Sequence, residues 1–409
     1  FYSQLPAAMV ENKTSTTPGV EIVKDKLYWI SDRQPPRNQP DSYFFCIDND
    51  LVYQPFFADF GPLDMGKTYR FVTELEKLLK DPQFMKYKIF HYCSLDNAKR
   101  ANAACLMGAF QVLILGKTAN EAWLPFSKVT PPFADYRDAS YGTCTYKCTI
   151  LDCLRGLEYA IKLRWFELKT FNLRDYEYYE SAENGDLNWI IPGKFVAFST
   201  PHDKSKDGDG YRLFTPDDYV PIFKKFGVTR VVRLNKKEYD REKFIKNGIK
   251  HTELYFLDGS TPSDEIIAEF LRVSEEEKGA IAVHCKAGLG RTGSLIACYA
   301  MKHYKFRAAD FIGYIRLMRP GSVLGPQQQF LNDKESYFLK LADKSPIYQS
   351  ILPFIKDANM DAVTNDMDNL EISSKNYVEM SPEEKRKAVE GDLGQADRLL
   401  NAKKNRSKQ

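Results

Sequence analysis

Apolar positions along the chain fall into two similar series of short alternating runs and helical stripes. From Lys26 onward, β-like runs such as Leu27-Tyr28-Trp29-Ile30 and Tyr43-Phe44-Phe45-Cys46-Ile47 alternate with helical patterns such as Thr68 to Leu79. Leu151, Leu154, Leu157, Ala160, Ile161 and Leu163 share one helical face, which predicts a helix over Leu151 to Trp165 connecting two units. A second series begins near Trp189. Its strands are expected at Lys194 to Phe198, Val228 to Leu234 and Ala280 to Val283, with helices at Asp264 to Glu277 and Thr292 to Tyr304. The alternation defines an α/β chain. Residues 1–25, rich in Ser, Thr, Asn and Pro, lack either period and read as a flexible leader. After Leu341 the pattern thins into a solvated tail, in which Pro382 to Leu400 carries good helix formers and is expected to dock or to fold on a partner.

The two series also match in layout. Phe90 to Cys105 follows the order of Val283 to Cys298: a strand, His and Cys, a loop, an Arg, then an Ala-rich helix. An acidic turn precedes each, Asp59-Phe60-Gly61-Pro62 in one and Asp258-Gly259-Ser260-Thr261-Pro262 in the other. This predicts a duplicated fold whose first copy has decayed, with a chance alignment of two strand-loop-helix units as the alternative. In the first copy Cys93 and Arg100 are seven positions apart instead of six, and Leu95-Asp96-Asn97-Ala98 stands where the second has Ala287-Gly288-Leu289-Gly290. A loop without glycine bends its amides around an anion with difficulty, and Asp96 would repel one. The first copy is expected not to be catalytic.

Bulk composition narrows the classes. At 409 residues, with 43% hydrophobic positions, the chain is long and apolar enough for two cores. Its net charge of +3 comes from 58 basic and 55 acidic residues, too even a balance to point to nucleic acid or a membrane surface. The longest nearly uninterrupted apolar stretch, Ala103 to Gly116, is shorter than the roughly 20 residues that cross a bilayer. Phe1-Tyr2-Ser3-Gln4-Leu5 carries neither an initiator Met nor a signal peptide, so the natural start is expected upstream. Eight dispersed cysteines fit a reducing compartment. His91, His202, His251, His284 and His303 are too scattered for a metal centre, and Cys144, Cys148 and Cys153 are expected in a core. No cofactor is expected.

The chemistry concentrates at His284-Cys285-Lys286-Ala287-Gly288-Leu289-Gly290-Arg291-Thr292-Gly293. An apolar strand would deliver Cys285 to its C-terminal edge, and the following helix would present its N-terminus to the same place. Lys286, Ala287, Gly288, Leu289 and Gly290 then form a loop whose amides, with the helix dipole, hold a phosphate dianion. Arg291 lies six residues after Cys285, far enough for the loop to circle a phosphoryl group and for the guanidinium to clamp it. The same field lowers the thiol from about 8.5 toward the range of about 3.5 to 7.5 and makes Cys285 a nucleophile. Asp258, expected after the strand Tyr255-Phe256-Leu257, is the candidate proton donor to the leaving alkoxide. Thr292 is expected to hydrogen-bond Cys285, and Gln327 and Gln328 to position the water that releases phosphate.

The loop, the Tyr-Phe-Leu-Asp-Gly-Ser-Thr-Pro turn and Arg319-Pro320-Gly321-Ser322-Val323-Leu324-Gly325-Pro326-Gln327-Gln328 resemble the cell-division-cycle-fourteen, or mitotic-exit, dual-specificity protein phosphatases. The likeness covers roughly Lys26 to Leu341. It implies two tandem dual-specificity-phosphatase-like domains, each a central mixed sheet flanked by helices: a degenerate one over 26–150, a helical linker over 151–188, a catalytic one over 189–341, and a partly disordered extension over 342–409. It implies phosphoprotein substrates made by proline-directed kinases, with phosphoserine followed by Pro and a downstream basic residue. Within the acidic run Asp175 to Asp186, the residues Glu177, Glu180 and Glu183 recur at helical spacing. Taken alone such a run is a solvated face; the resemblance implies that Glu177, Glu180 and Asp186 line an acidic substrate groove. A role in cell-cycle or cytoskeletal regulation is implied as well, in cytoplasm or nucleus and at centrosome, spindle or cilium. Two other readings are a phosphoinositide phosphatase, disfavoured because Leu289 stands where those enzymes place a second Lys, and a phosphatase fold retained as a scaffold.

Overall fold

The computed structural model describes residues 3–4, 19–37, 39–208, 210–356 and 395–406. The expectations for most of the leader and for tail residues 357–394 lie outside them. The first half comprises Ser3–Gln4 (β1), Val20–Val23 (β2), Leu27–Ser31 (β3), Ser42–Cys46 (β4), Met65–Lys80 (α1), Lys88–Cys93 (β5), Asn97–Leu113 (α2), Ala119–Trp123 (α3) and Ile150–Lys162 (α4). Its sheet runs β1-β4-β5-β3-β2. The three central strands are parallel and the two edges antiparallel.

The second half repeats the plan. Leu173–Glu180 (α5) leads to Leu187–Ile191 (β6), Phe195–Phe198 (β7), Pro216–Lys225 (α6), Val228–Arg233 (β8), Glu242–Ile245 (α7), Lys250–Glu253 (β9), Asp264–Glu276 (α8) and Ala280–His284 (β10). Gly290–Tyr304 (α9), Ala308–Met318 (α10), Pro326–Ala342 (α11), Pro346–Lys356 (α12) and Gln395–Arg406 (α13) follow. The sheet order is β6-β7-β10-β8-β9, parallel except for β6. Every residue of β10 is buried, as a central parallel strand covered on both faces requires. Both halves are α/β mixed sheets flanked by helices.

The chain passes from β7 through α6 to β8, and β10 inserts between those two strands. The C-terminal end of β10 therefore lies at a switch point of the sheet, where α/β folds place their ligands. The helix expected over Leu151 to Trp165 is α4, capped by a reciprocal pair of Thr149 and Asp152. It is more than a connector, because it packs directly on α10 of the second half. A Cβ on Gly156 would lie 2.2 Å from the Asp310 carbonyl oxygen, and one on Gly313 would lie 2.7 Å from Cys153 Cα. Glycine on both helices allows this backbone contact, and one buried apolar cluster runs through both halves from Ile22 to Phe338.

Three expectations need correction. Tyr255-Phe256-Leu257 is not a strand: β9 ends at Glu253, and only Leu254 N–H to Arg233 O and Phe256 N–H to Leu234 O continue its bonding, on one side. Glu183 does not extend the helical spacing of Glu177 and Glu180, because Ser181 turns extended and Glu183 falls in a separate 3-10 turn. Cys148 and Cys153 are buried, but Cys144 is only half-buried.

Candidate active site

β10 ends at His284 and α9 begins at Gly290, so Cys285 and the loop stand at the sheet's switch point. The loop's carbonyls are all held from outside. Cys285 O meets His284 Nδ1 at 2.9 Å. Lys286 O accepts from Thr200 N–H at 2.9 Å. Ala287 O and Gly288 O accept from Arg319 Nη2 and Nε at 3.1 and 2.8 Å. Leu289 O accepts from Gly293 N–H at 3.1 Å. In a trans peptide the N–H points opposite the C=O. Tying these oxygens outward turns the amides of the following residues toward the centre, as an anion cradle requires. Gly288 adopts φ +66° with the Phe198 carbonyl oxygen only 2.0 Å from where a Cβ would stand, so the close approach of loop to β7 needs glycine. No side chain caps α9, which leaves its first amides to a ligand.

Arg291 is 3% exposed. Its Nη1 donates to Phe256 O at 2.9 Å and its Nη2 pairs with Asp258 Oδ1 at 3.0 Å. Its Nε is buried without a hydrogen-bond partner among the described residues. Burial alone would push the Cys285 thiol up. Arg291 first, and then Thr292 at the head of α9, more than offset burial and the opposing Asp258 carboxylate, and hold the thiol below its ordinary value. Cys285, Arg291 and Asp258 thus converge.

Four side chains to which sequence reasoning gave no role, Arg319, Asn188, Tyr239 and His251, hold this arrangement. Arg319 braces the loop and is itself held by Asn188 Oδ1 at 2.6 Å and Asp186 Oδ1 at 3.0 Å. Tyr239 Oη lies 2.8 Å from both His284 Nε2 and His251 Nε2. The Cys285 carbonyl can only accept, so His284 Nδ1 carries a proton and Nε2 accepts from Tyr239, which in turn accepts from His251. Burial keeps both imidazoles neutral, with His251 pushed down to about 3. Arg319 lay within the quoted Arg-Pro-Gly segment, but only its depth of burial assigns it a task.

The remaining predicted residues divide. Gln327 sits against Gly290 and links Leu324 N–H to Ser260 O, beside both the loop and the Asp258 turn. Gln328 is committed at both ends, to Arg316 at 2.6 Å and Gly325 O at 3.2 Å, which assigns it to the turn before α11 rather than to a water. Glu177 forms a two-pronged surface pair with Arg70 of α1. Glu180 ends α5. Asp186 is buried beside the loop, between Arg319 and Lys403. Lys286 reaches Asp397 at 2.5 Å.

The equivalent place in the first half is built differently. Asp96 caps α2 by accepting from Lys99 N–H, so a carboxylate occupies the helix N-terminus that α9 leaves open. Arg100 is turned to Pro131 O at 2.7 Å. Burial raises the Cys93 thiol well above its ordinary value. Among the described residues no group of three or more His, Cys, Asp or Glu side chains is placed to hold a metal ion, and no helix is long and apolar enough to cross a membrane.

Residues 21–160 match the family model "Dual specificity protein phosphatase, N-terminal half", and residues 184–328 match "Swiss Army Knife protein, DSP-PTPase phosphatase domain". The fold, present twice in tandem, and the loop, present in the second half, are those of the cysteine-based dual-specificity phosphatase class. Among curated relatives the chain is 52% identical over 317 residues to dual specificity protein phosphatase CDC14A of Homo sapiens, covering 77% of this chain and 53% of that one. It is 43% identical over 357 residues to CDC14B of Mus musculus, covering 85% and 73%. It is 45% identical over 314 residues to CDC14C of Homo sapiens, covering 77% and 70%. The chain belongs to the CDC14 family of dual specificity protein phosphatases. It spans about half the length of the CDC14A relatives that it matches.

Proposed function

We propose that the chain hydrolyses phosphoserine, phosphothreonine and phosphotyrosine in proteins through a phosphocysteine intermediate. The observation that carries this reading is the loop of residues 285–289, whose carbonyls are tied outward around a thiol that Arg291 holds below its ordinary value. The Cys285 thiolate attacks phosphorus, the phosphorus–oxygen bond to the substrate breaks, and the departing alkoxide takes a proton from Asp258. Water beside Gln327 then attacks the phosphocysteine, returns a proton to Asp258 and releases inorganic phosphate and thiolate. Arg291 meets the phosphoryl oxygens in both steps. Its present partner is Asp258, so phosphate binding exchanges one anion for another and frees Asp258 to act as acid. The first half, with Asp96 at its helix N-terminus, contributes no second catalytic centre.

The substrates in this reading are proteins phosphorylated by proline-directed kinases, in cell-cycle or cytoskeletal regulation in cytoplasm or nucleus. Asp186 supports a preference for a downstream basic residue, because its carboxylate already receives an ammonium group beside Ala287. Leu289 is fully buried and gives the loop no second cation for a multiply phosphorylated lipid headgroup. A phosphopeptide panel tests the proposal: phosphoserine, phosphothreonine and phosphotyrosine, with and without Pro at the next position and Lys at the third. The wild-type chain should turn over the Pro-and-Lys phosphoserine peptide fastest. Cys285→Ser should bind it without turnover, since a serine hydroxyl stays protonated in the same cradle. Turnover by Cys285→Ser near the wild-type rate would remove Cys285 from its role.

A further inference from the structure

A cavity of about 550 Å³ opens between the linker that follows α4, the helix α5 and the edge strand β6. Small-molecule sites occupy roughly 300–1,000 Å³, so its size suits a ring compound. Its walls are aromatic. Trp189 lies 5.4 Å from Phe226, Phe171 lies 5.5 Å from Tyr176, and all four rings line the cavity. Among the described residues no ring contact joins one pair to the other, which leaves room for a flat ring against either. The cavity is separate from the acidic face of α5: Asp175, Tyr176 and Tyr179 line it, whereas Glu177 is turned to Arg70 of α1.

Asn188 lines the same cavity and is 3% exposed. A guanidinium only donates, so the oxygen of this amide must be the atom 2.6 Å from Arg319 Nη1, and Nδ2 is left as a donor. That nitrogen is buried and has no hydrogen-bond partner among the described residues. A buried donor calls for an acceptor, and the cavity is the side from which one can come. At the mouth, Glu167 and Asp175 outnumber the single guanidinium of Arg164, a balance that disfavours an anion and admits a neutral molecule.

We propose that this cavity is a second binding site, for a neutral planar ring compound whose carbonyl accepts from Asn188 Nδ2 while its ring lies against the aromatic walls. Its line to the chemistry is short. Asn188 holds Arg319, and Arg319 donates to Ala287 O at 3.1 Å and to Gly288 O at 2.8 Å. Met318, the residue before Arg319, is itself a wall of the cavity, and Tyr176 Oη fixes its carbonyl at 3.0 Å. A ligand that anchors the Asn188 amide therefore keeps Arg319 on the loop and favours the anion-binding form of the cradle. This coupling rests on the phosphate-cradle reading of the loop; the cavity itself does not. Linkage is reciprocal, so an oxyanion in the loop tightens the ring compound by the factor by which the ring compound tightens the oxyanion.

The test uses the full chain and Prodan, a neutral naphthalene dye with a carbonyl acceptor. Trp165 and Trp189 line the cavity, so energy transfer from tryptophan to dye reports arrival there. Wild type should bind Prodan one to one, and about fivefold more tightly with sodium tungstate in the loop, the low end of the usual range of coupling. Asn188→Asp keeps an acceptor for Arg319 and removes the donor, and should weaken Prodan about tenfold, the worth of one buried hydrogen bond. Thr170→Phe, which narrows the mouth and leaves Asn188 as it is, should weaken it as well. No saturable binding, or binding that neither variant weakens, overturns the site. An affinity that tungstate leaves unchanged overturns the coupling. A wild-type chain that binds no tungstate in isothermal titration would instead overturn the cradle reading, and the comparison of Asn188→Asp with wild type would then still decide whether the cavity holds the dye.

Discussion

Gly288→Ala tests the link between backbone geometry and chemistry most directly. At φ +66° the added Cβ would lie 2.0 Å from the Phe198 carbonyl oxygen and 2.9 Å from Arg319 Nη2, where ordinary contact begins at 3.4 Å. Both obstacles belong to rigid surroundings: one is backbone of β7, the other a guanidinium bonded to the loop itself. The loop must therefore retreat by about 1 Å or more, at a backbone cost of about 1–2 kcal/mol for an L-residue in the left-handed region. Retreat loosens the bonds from Arg319 to Ala287 O and Gly288 O, each worth about 1.5–3 kcal/mol as a charge-assisted contact. A displacement of about 1 Å at a reacting group costs about 100-fold in rate, so kcat/KM for para-nitrophenyl phosphate should fall at least that far. Alkylation of Cys285 by iodoacetamide near neutral pH should slow in parallel, as the thiolate loses its inward amides. Circular dichroism and a cooperative thermal transition would certify the fold. A folded variant whose turnover and alkylation rates stay within about twofold of wild type would refute the reasoning, because the loop would then work without the geometry described.

Two further outcomes are expected. Asp258→Asn should cost about 10²- to 10⁴-fold against phosphoserine and less against an aryl phosphate with a good leaving group, the pattern of a lost proton donor; equal losses on both substrates would make Asp258 structural. Asp310, at the contact of α10 with α4, is pushed up by burial from 3.8 to about 7. Its folded form binds more protons than the unfolded chain between those values, so its contribution to stability is greatest below the unfolded value and declines as pH rises toward 7. Asp310→Asn should therefore gain stability on wild type between pH 5 and pH 8, with an upper limit of about 3 kcal/mol, since about two units of that window lie below the folded value and each is worth about 1.36 kcal/mol; urea midpoints that move in parallel at the two pH values would contradict it.

What the sequence made legible was whatever physics writes locally. Residues 284–293 announce a phosphate cradle because only glycine permits so tight a loop, and the strand before and helix after it carry unambiguous periods. The contrast with the first copy was legible for the same reason: Asp96 in place of a glycine both closes the loop and caps α2. Tyr255-Phe256-Leu257 misled because an apolar run reads as a strand whether or not its second edge finds a partner. Glu183 misled because the helical spacing runs on past Ser181, where the backbone turns. Gln328 has the right chemistry for holding water, yet Arg316 reaches it first. The contacts of longest reach left no local sign. Arg319 holds a carbonyl 31 residues away, and Lys403 holds a carboxylate 217 residues away. Periodicity records which side of a helix is buried and is silent about what it is buried against.

The first half also furnishes part of the second half's wall. Asp138 Oδ2 accepts from Gly325 N–H at 2.5 Å, and the Phe56 ring fills the space that a Cβ on Gly321 would need. The turn so held carries Gln327, which lies against Gly290 of the catalytic loop. Excising the half without a glycine loop would therefore not leave the site intact; it would unfasten the turn that borders Cys285 and Arg291. A duplication ordinarily leaves a spare, free to vary. Here the half without a cradle is bound to keep its surface, because its partner's geometry is written partly in its residues.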